Sequence, residues 1–82
     1  MTNPQDAVIE FIRNDIGYTG PLDASMDLLE AQILDSFNVV QLAMFLQQRF
    51  EIELEGEDLV RSNLSTLAAI AALVDRRQAT RP

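Results

Sequence analysis

From Asn38 to Phe50 the chain runs without a glycine or a proline, and Val39, Val40, Leu42, Ala43, Met44, Phe45, Leu46 and Phe50 are apolar. A stretch this long with no strict alternation reads as a helix, predicted over about 36–50. It holds too many apolar residues for one stripe. Val39, Leu42, Ala43, Leu46 and Phe50 make one coherent face, which must be covered by other elements. Phe37, Val40 and Met44 follow a second line at i, i+3, i+7. In so small a domain that line has little to pack against. Either the loop before it or another helix covers it, or it is a surface for docking a partner.

The rest of the chain supplies partners for the first face. Asn3 is a plausible N-cap, Pro4 suits the first helical position and Asp6 the first turn. Val8, Ile9, Phe11, Ile12 and Ile16 share a face, and Gly17 is a natural stop. Residues 18–35 form a long connection. Tyr18-Thr19-Gly20-Pro21 is turn chemistry, while Leu22, Met26, Leu28, Leu29, Ile33 and Leu34 can pack it down, with one helical turn allowed within 26–31. Connections this long are uncommon in compact domains and are often functional. This one ends at Ser36.

Glu51-Ile52-Glu53-Leu54-Glu55 alternates like a strand but has no strand to pair with, so it is expected to be an extended link. Gly56 to Arg61 suggests a single helical turn. A last helix follows, capped by Asn63 or Ser65, with Leu67, Ile70, Ala71 and Val74 buried and Leu64 and Leu73 flanking. Arg76 and Arg77 suit its C-terminal end. The expected architecture is all-α, a four-helix bundle with a short third helix. One domain is expected over 1–82, with its core at about 4–77 and a frayed tail at 78–82.

Composition removes several function classes. There is no cysteine and no histidine, so thiolate metal sites, thiol nucleophiles and Ser-His-Asp chemistry are excluded within the chain. The net charge of −7 argues against nucleic acid and suits docking on basic partner surfaces. No apolar run approaches the roughly 20 residues that span a bilayer. The first residues lack the basic region and apolar core of a signal peptide. The expectation is a cytoplasmic monomer with no stable membrane association.

The tetrapeptide Leu34-Asp35-Ser36-Phe37 joins the long connection to the apolar helix. Two readings are open. In one, Ser36 is an N-cap whose hydroxyl accepts a first-turn N–H. In the other, the hydroxyl is exposed and receives a phosphate-linked group, favoured there by free N–H groups and the helix dipole.

With these residues in place the chain resembles the acyl carrier and peptidyl carrier proteins, the phosphopantetheine-dependent carrier family. The likeness runs from about residue 5 to 76. It is strongest at Ile33-Leu34-Asp35-Ser36-Phe37 with Val40, Leu42, Leu46 and Phe50, where the family has Asp-Ser-Leu or Asp-Ser-Met opening its second helix. Phe50-Glu51-Ile52-Glu53-Leu54 looks like the link after that helix, and Ser65-Thr66-Leu67-Ala68-Ala69-Ile70 like the start of the fourth. The resemblance implies a 4'-phosphopantetheine arm, derived from coenzyme A, on Ser36, with the carried acid held on the arm's thiol. It implies a phosphopantetheinyl transferase that activates Ser36 and supplies Mg²⁺, with Asp35 helping that enzyme bind near the metal. Further implied partners are an adenylating ligase or acyltransferase and a downstream condensing or transferring enzyme. Partner docking would fall to Phe37, Val40, Gln41, Met44, Gln47, Gln48, Glu57 and Asp58. The chain would be a carrier and not an enzyme.

Three departures refine this. Phe37 stands where Leu or Met is usual. Gln32 stands where many carriers have Gly. Gln41, Gln47, Gln48 and Arg49 stand where fatty-acid carriers are rich in Glu, and the acids lie instead at Glu51, Glu53, Glu55, Glu57 and Asp58. The pattern looks more like stand-alone carriers of an amino acid or short acyl unit, such as D-alanyl carriers or discrete carriers of polyketide and nonribosomal peptide pathways. The competing reading is an unmodified four-helix adaptor in which Ser36 is only a cap.

Overall fold

The structure, a computed structural model, describes residues 3–79. Helix α1 spans Pro4–Phe11 and continues as a π-helical segment, Ile12–Ile16. Helix α2 spans Ser36–Phe50, a 3₁₀ turn spans Gly56–Asp58, α3 spans Arg61–Leu64, and α4 spans Leu67–Ala79. The described residues hold four α-helices and no sheet.

Local chemistry sets the first helix as expected. Asn3 Oδ1 accepts the Gln5 N–H at 2.8 Å, and proline occupies the first turn. The wider π turn over Ile12–Ile16 was not expected. It closes on Gly17 at φ 88°, a left-handed conformation that glycine adopts without a Cβ clash. Arg13 is half-buried and donates to the carbonyls of Tyr18 and Gly20, which turns the chain away from α1.

The core is a single cluster from all four helices and the long connection. Val8 and Ile12, Leu42 and Leu46, Leu64, and Ile70, Leu73 and Val74 are all essentially inaccessible. Leu73, expected at the flank, is fully buried, whereas Ala71 is only half-buried. Each such aliphatic side chain stabilises the fold by about 1.5–3 kcal/mol relative to exposure.

The connection is pinned as firmly as a helix. Leu28 is buried, and its N–H donates to the Ser65 carbonyl at 2.6 Å, while Ala68 N–H donates to the Ala24 carbonyl at 3.1 Å. Asp27 Oδ1 accepts the N–H groups of Leu29 and Glu30, capping one turn within the expected 26–31 window. Arg61 on α3 reaches Asp27 and Glu30, each at 3.5 Å. Gln32 then takes φ 61°, and the chain reverses so that Ile33 and Leu34 enter the core.

Two expectations about the C-terminal half need correction. Residues 56–61 do not form one turn: a 3₁₀ turn ends at Asp58, and α3 starts only at Arg61. The last helix is not capped by Asn63 or Ser65. Thr66 Oγ1 accepts the Ala69 N–H at 3.0 Å, so Thr66 caps α4 while Asn63 lies within α3. Three hydroxyl or amide residues occur within four positions there, and packing of Leu64 and Leu67 selects the register. Helix α4 also continues to Ala79, beyond the expected start of the tail at 78, and tail residues 80–82 lie outside the described residues.

Candidate functional site

The N-terminus of α2 is set by what precedes it. Ile33 and Leu34 are 6 % and 2 % exposed, so they anchor the backbone just before the junction. Asp35 is extended (φ −120°, ψ −177°), and its Oδ1 accepts the Asn38 N–H at 2.8 Å. Its carbonyl accepts the Val39 N–H at 2.9 Å. Asp35 is therefore the N-cap. This corrects the first reading of the junction: Ser36 is not the cap of α2.

Ser36 is the first helical residue and is exposed. Its hydroxyl is not consumed by capping, because the neighbouring carboxylate does that. Apart from the capping carboxylate of Asp35, which offsets part of the positive end of the helix, no acid stands in the first turn of α2. The N–H groups of Ser36 and Phe37 point out of the first turn without an intrahelical acceptor. A phosphodiester on Ser36 Oγ would thus meet free donors and a favourable dipole. The residues present fit a phosphate-linked group on the serine.

Beyond Ser36, α2 shows an exposed apolar line. Phe37 is 69 % exposed, Val40 56 % and Met44 60 %. Neither the long connection nor another helix covers them. The opposite face, with Leu42, Ala43, Leu46 and Phe50, is buried as expected. Leu59 and Val60, between the 3₁₀ turn and α3, are also exposed, a feature hidden by reading 56–61 as helix.

The polar docking candidates divide. Gln41, Gln48 and Glu57 are exposed. Gln47 is half-buried, and its Oε1 accepts the Leu54 N–H at 3.0 Å while its carbonyl accepts the Ile52 N–H. It holds the extended link against the end of α2 and presents little to a partner. Asp58 does not match the expectation of a surface acid. It is 8 % exposed, accepts the Glu55 N–H at 2.8 Å, and pairs with Arg77 of α4 at 2.5 Å. The Glu55 N–H, followed by the Arg77 guanidinium, holds its carboxyl below the ordinary value of 3.8 against the opposing effect of burial. Asp58 ties the 3₁₀ turn to α4.

A groove of about 260 Å³ lies between the end of α1 and α2, lined by Phe11, Asp15, Gln41, Met44, Phe45 and Gln48. The Phe11 and Phe45 rings meet there with centroids 5.1 Å apart. Sequence reasoning assigned Phe11 to the core and did not single out Asp15. No local signal marks the groove, which exists only because two helices distant in sequence converge.

Among the described residues, no group of three or more acids could hold a metal ion, and no helix is long and apolar enough to cross a membrane. A family model described as a phosphopantetheine attachment site matches residues 6–74, a span that contains most of α1, the long connection, the Asp35-Ser36 junction and most of α4. No curated protein matches the chain.

Proposed function

The chain belongs to the phosphopantetheine attachment-site family, and from that premise we propose that Ser36 is the attachment residue of a stand-alone acyl or aminoacyl carrier protein. The observation that carries this reading is the division of labour at the junction. Asp35 caps α2, and the exposed Ser36 hydroxyl is left as an acceptor.

Each residue has a role in this reading. Ser36 Oγ attacks the pantetheine-side phosphorus of the coenzyme A pyrophosphate, so that a phosphodiester forms on Ser36 as the pyrophosphate P–O bond breaks and adenosine 3',5'-bisphosphate leaves. The serine proton passes to a base on the transferase, because this chain has no histidine to take it. Asp35 fixes the backbone that presents Ser36 and leaves its second carboxylate oxygen to face the transferase and its Mg²⁺. The free first-turn N–H groups and the helix dipole lower the energy of the bound phosphate. Once attached, the group supplies a flexible arm ending in a thiol, which holds the cargo as a thioester and presents it to successive enzymes at high effective concentration.

Phe37, Val40 and Met44 form the apolar centre of the docking surface, with Gln41, Gln48 and Glu57 as its polar surround. The partners are a phosphopantetheinyl transferase, an adenylating ligase or acyltransferase, and a condensing or transferring enzyme, all acting on a monomer in the cytoplasm. The uncharged amides on α2 support a specialised pathway over fatty-acid synthesis, of polyketide, nonribosomal peptide or D-alanylation type. A partner that reads a row of acids would lose ion pairs here, each worth about 0.2–1 kcal/mol. Incubation with coenzyme A, Mg²⁺ and a broad-specificity transferase should add one phosphopantetheinyl group per chain. An unmodified mass for the folded protein would leave the adaptor reading in its place.

A further inference from the structure

The groove between α1 and α2 lies at the end of a track that starts at Ser36. Gln41, Met44, Phe45 and Gln48 are five to twelve residues beyond Ser36, or about 8–18 Å along the axis at the helical rise. Phe37, Gln41, Met44 and Gln48 recur at i, i+4, i+7 and i+11, so one exposed helical face leads from the serine to the groove. An extended phosphopantetheine arm on Ser36 covers that length.

The chemistry of the groove is selective. Its floor is the Phe11–Phe45 ring pair with Met44 beside it. Its polar lining is one carboxylate, Asp15, and two amides, Gln41 and Gln48, with no cation. Asp15 takes part in none of the ion pairs among the described residues. A carboxylate-bearing cargo would be repelled there. Asp15 is exposed, so a plain acyl chain laid over the rings would leave it in water and gain nothing from it. A cargo with an ammonium group next to an apolar side chain satisfies every wall. The ammonium donates to Asp15 and to the amide oxygens, and the side chain covers the rings. The groove is open to solvent on one side, and its volume of about 260 Å³ has room for one amino-acid-sized group.

Resting on the carrier reading of Ser36, we propose that this groove is the resting site of an aminoacyl cargo, with the α-ammonium of the carried amino acid on Asp15. The carrier is thereby matched to amino acids over simple acyl acids. The groove lies between α1 and α2, so a cargo seated there is held against α1 while the helix N-terminus at Ser36 stays open to partners.

The test uses the full chain loaded at Ser36 by a transferase from coenzyme A analogues whose arm bears either a leucyl group or the isosteric isohexanoyl group without the amine, both through hydrolysis-resistant amide links. Loading is read first by intact mass. The ¹H–¹⁵N spectrum is then compared with that of the chain carrying the bare arm. The expected result is movement of the Phe11, Asp15, Phe45 and Gln48 amide signals with leucyl, little movement with isohexanoyl, and loss of the leucyl effect in Asp15→Asn. Equal movement with both groups, or none with either, overturns the proposal. So does movement that appears only when a partner enzyme is added, since the groove would then be a seat for a partner's cation. Failure to load at all is a separate result: it removes the carrier reading, and the cargo site with it.

Discussion

Asp35 accepts the Asn38 N–H at 2.8 Å, and this one bond assigns different tasks to adjacent residues. The carboxylate closes the first turn of α2, and the hydroxyl of Ser36 is left exposed on a helix whose position is fixed by Leu34 in the core. The roles of the pair can therefore be separated by substitution.

Ser36→Ala should leave stability within about 0.5 kcal/mol of the parent, because an exposed first-turn hydroxyl carries no cap. Asp35→Ala should cost about 1 kcal/mol, the usual loss for removing an N-cap. Asp35→Asn should keep the fold, since asparagine caps as well as aspartate, while slowing loading by the transferase through loss of charge. Urea unfolding of the three variants checks the first two statements. A larger loss in Ser36→Ala than in Asp35→Ala would reverse the assignment of the cap.

The Asp58–Arg77 contact gives the fold an acid-sensitive component. The carboxyl of Asp58 is held below its ordinary 3.8 by the Glu55 N–H and Arg77. The unfolded chain therefore takes up this proton first as pH falls. The stabilisation is complete above 3.8 and is lost as the pH drops below that value through the folded one. Asp58→Asn should lower stability at pH 7 and flatten its fall in this acid range. Chemical denaturation at a series of pH values tests this, and an unchanged slope in the variant would rule Asp58 out as the titrating group.

Two non-glycine residues sit in the left-handed region, Gln32 at φ 61° and Glu51 at φ 52°. Gln32→Gly and Glu51→Gly should each raise stability by about 0.5–1 kcal/mol, because glycine adopts this conformation without a Cβ clash. Removing the Glu51 charge from the negative end of α2 adds to the second effect. A fall in unfolding midpoint for Gln32→Gly would mean that its side chain holds the turn before the junction.

Val40→Glu places a charge on the exposed line of α2 without touching the core face. Thermal stability should stay near the parent, while the KM of a loading or transferring enzyme should rise several-fold or more. Loss of cooperative unfolding in this variant would show that the line is covered in solution.

The long regular parts of this fold were legible in the sequence. The apolar run ending at Phe50 and the glycine at 17 gave the bounds of α2 and the end of the first helix. Helix caps were less legible, for a physical reason. Asp35 and Ser36 are both good caps, as are Asn63, Ser65 and Thr66, and local preference does not rank neighbours of similar chemistry. The choice is made by which apolar residues must enter the core, Leu34 in one case and Leu67 in the other. Asp58 looked like a surface acid because its environment comes from Arg77, nineteen positions later on another helix. The groove was not legible for the same reason: Asp15 and Gln48 are brought together by helix packing and share no local pattern. At the site itself, the residue types and their order at 34–37 were readable, and the division of roles between Asp35 and Ser36 required the backbone.

The most direct test of the central claim is fragment mass spectrometry of the intact chain after treatment with coenzyme A, Mg²⁺ and a phosphopantetheinyl transferase, with folded Ser36→Ala alongside. The predicted result is one phosphopantetheinyl group located on Ser36 and an unmodified variant. Modification of the variant, or of another hydroxyl in the parent, would contradict the assignment of Ser36, and an unmodified parent with native circular dichroism would contradict the carrier function itself.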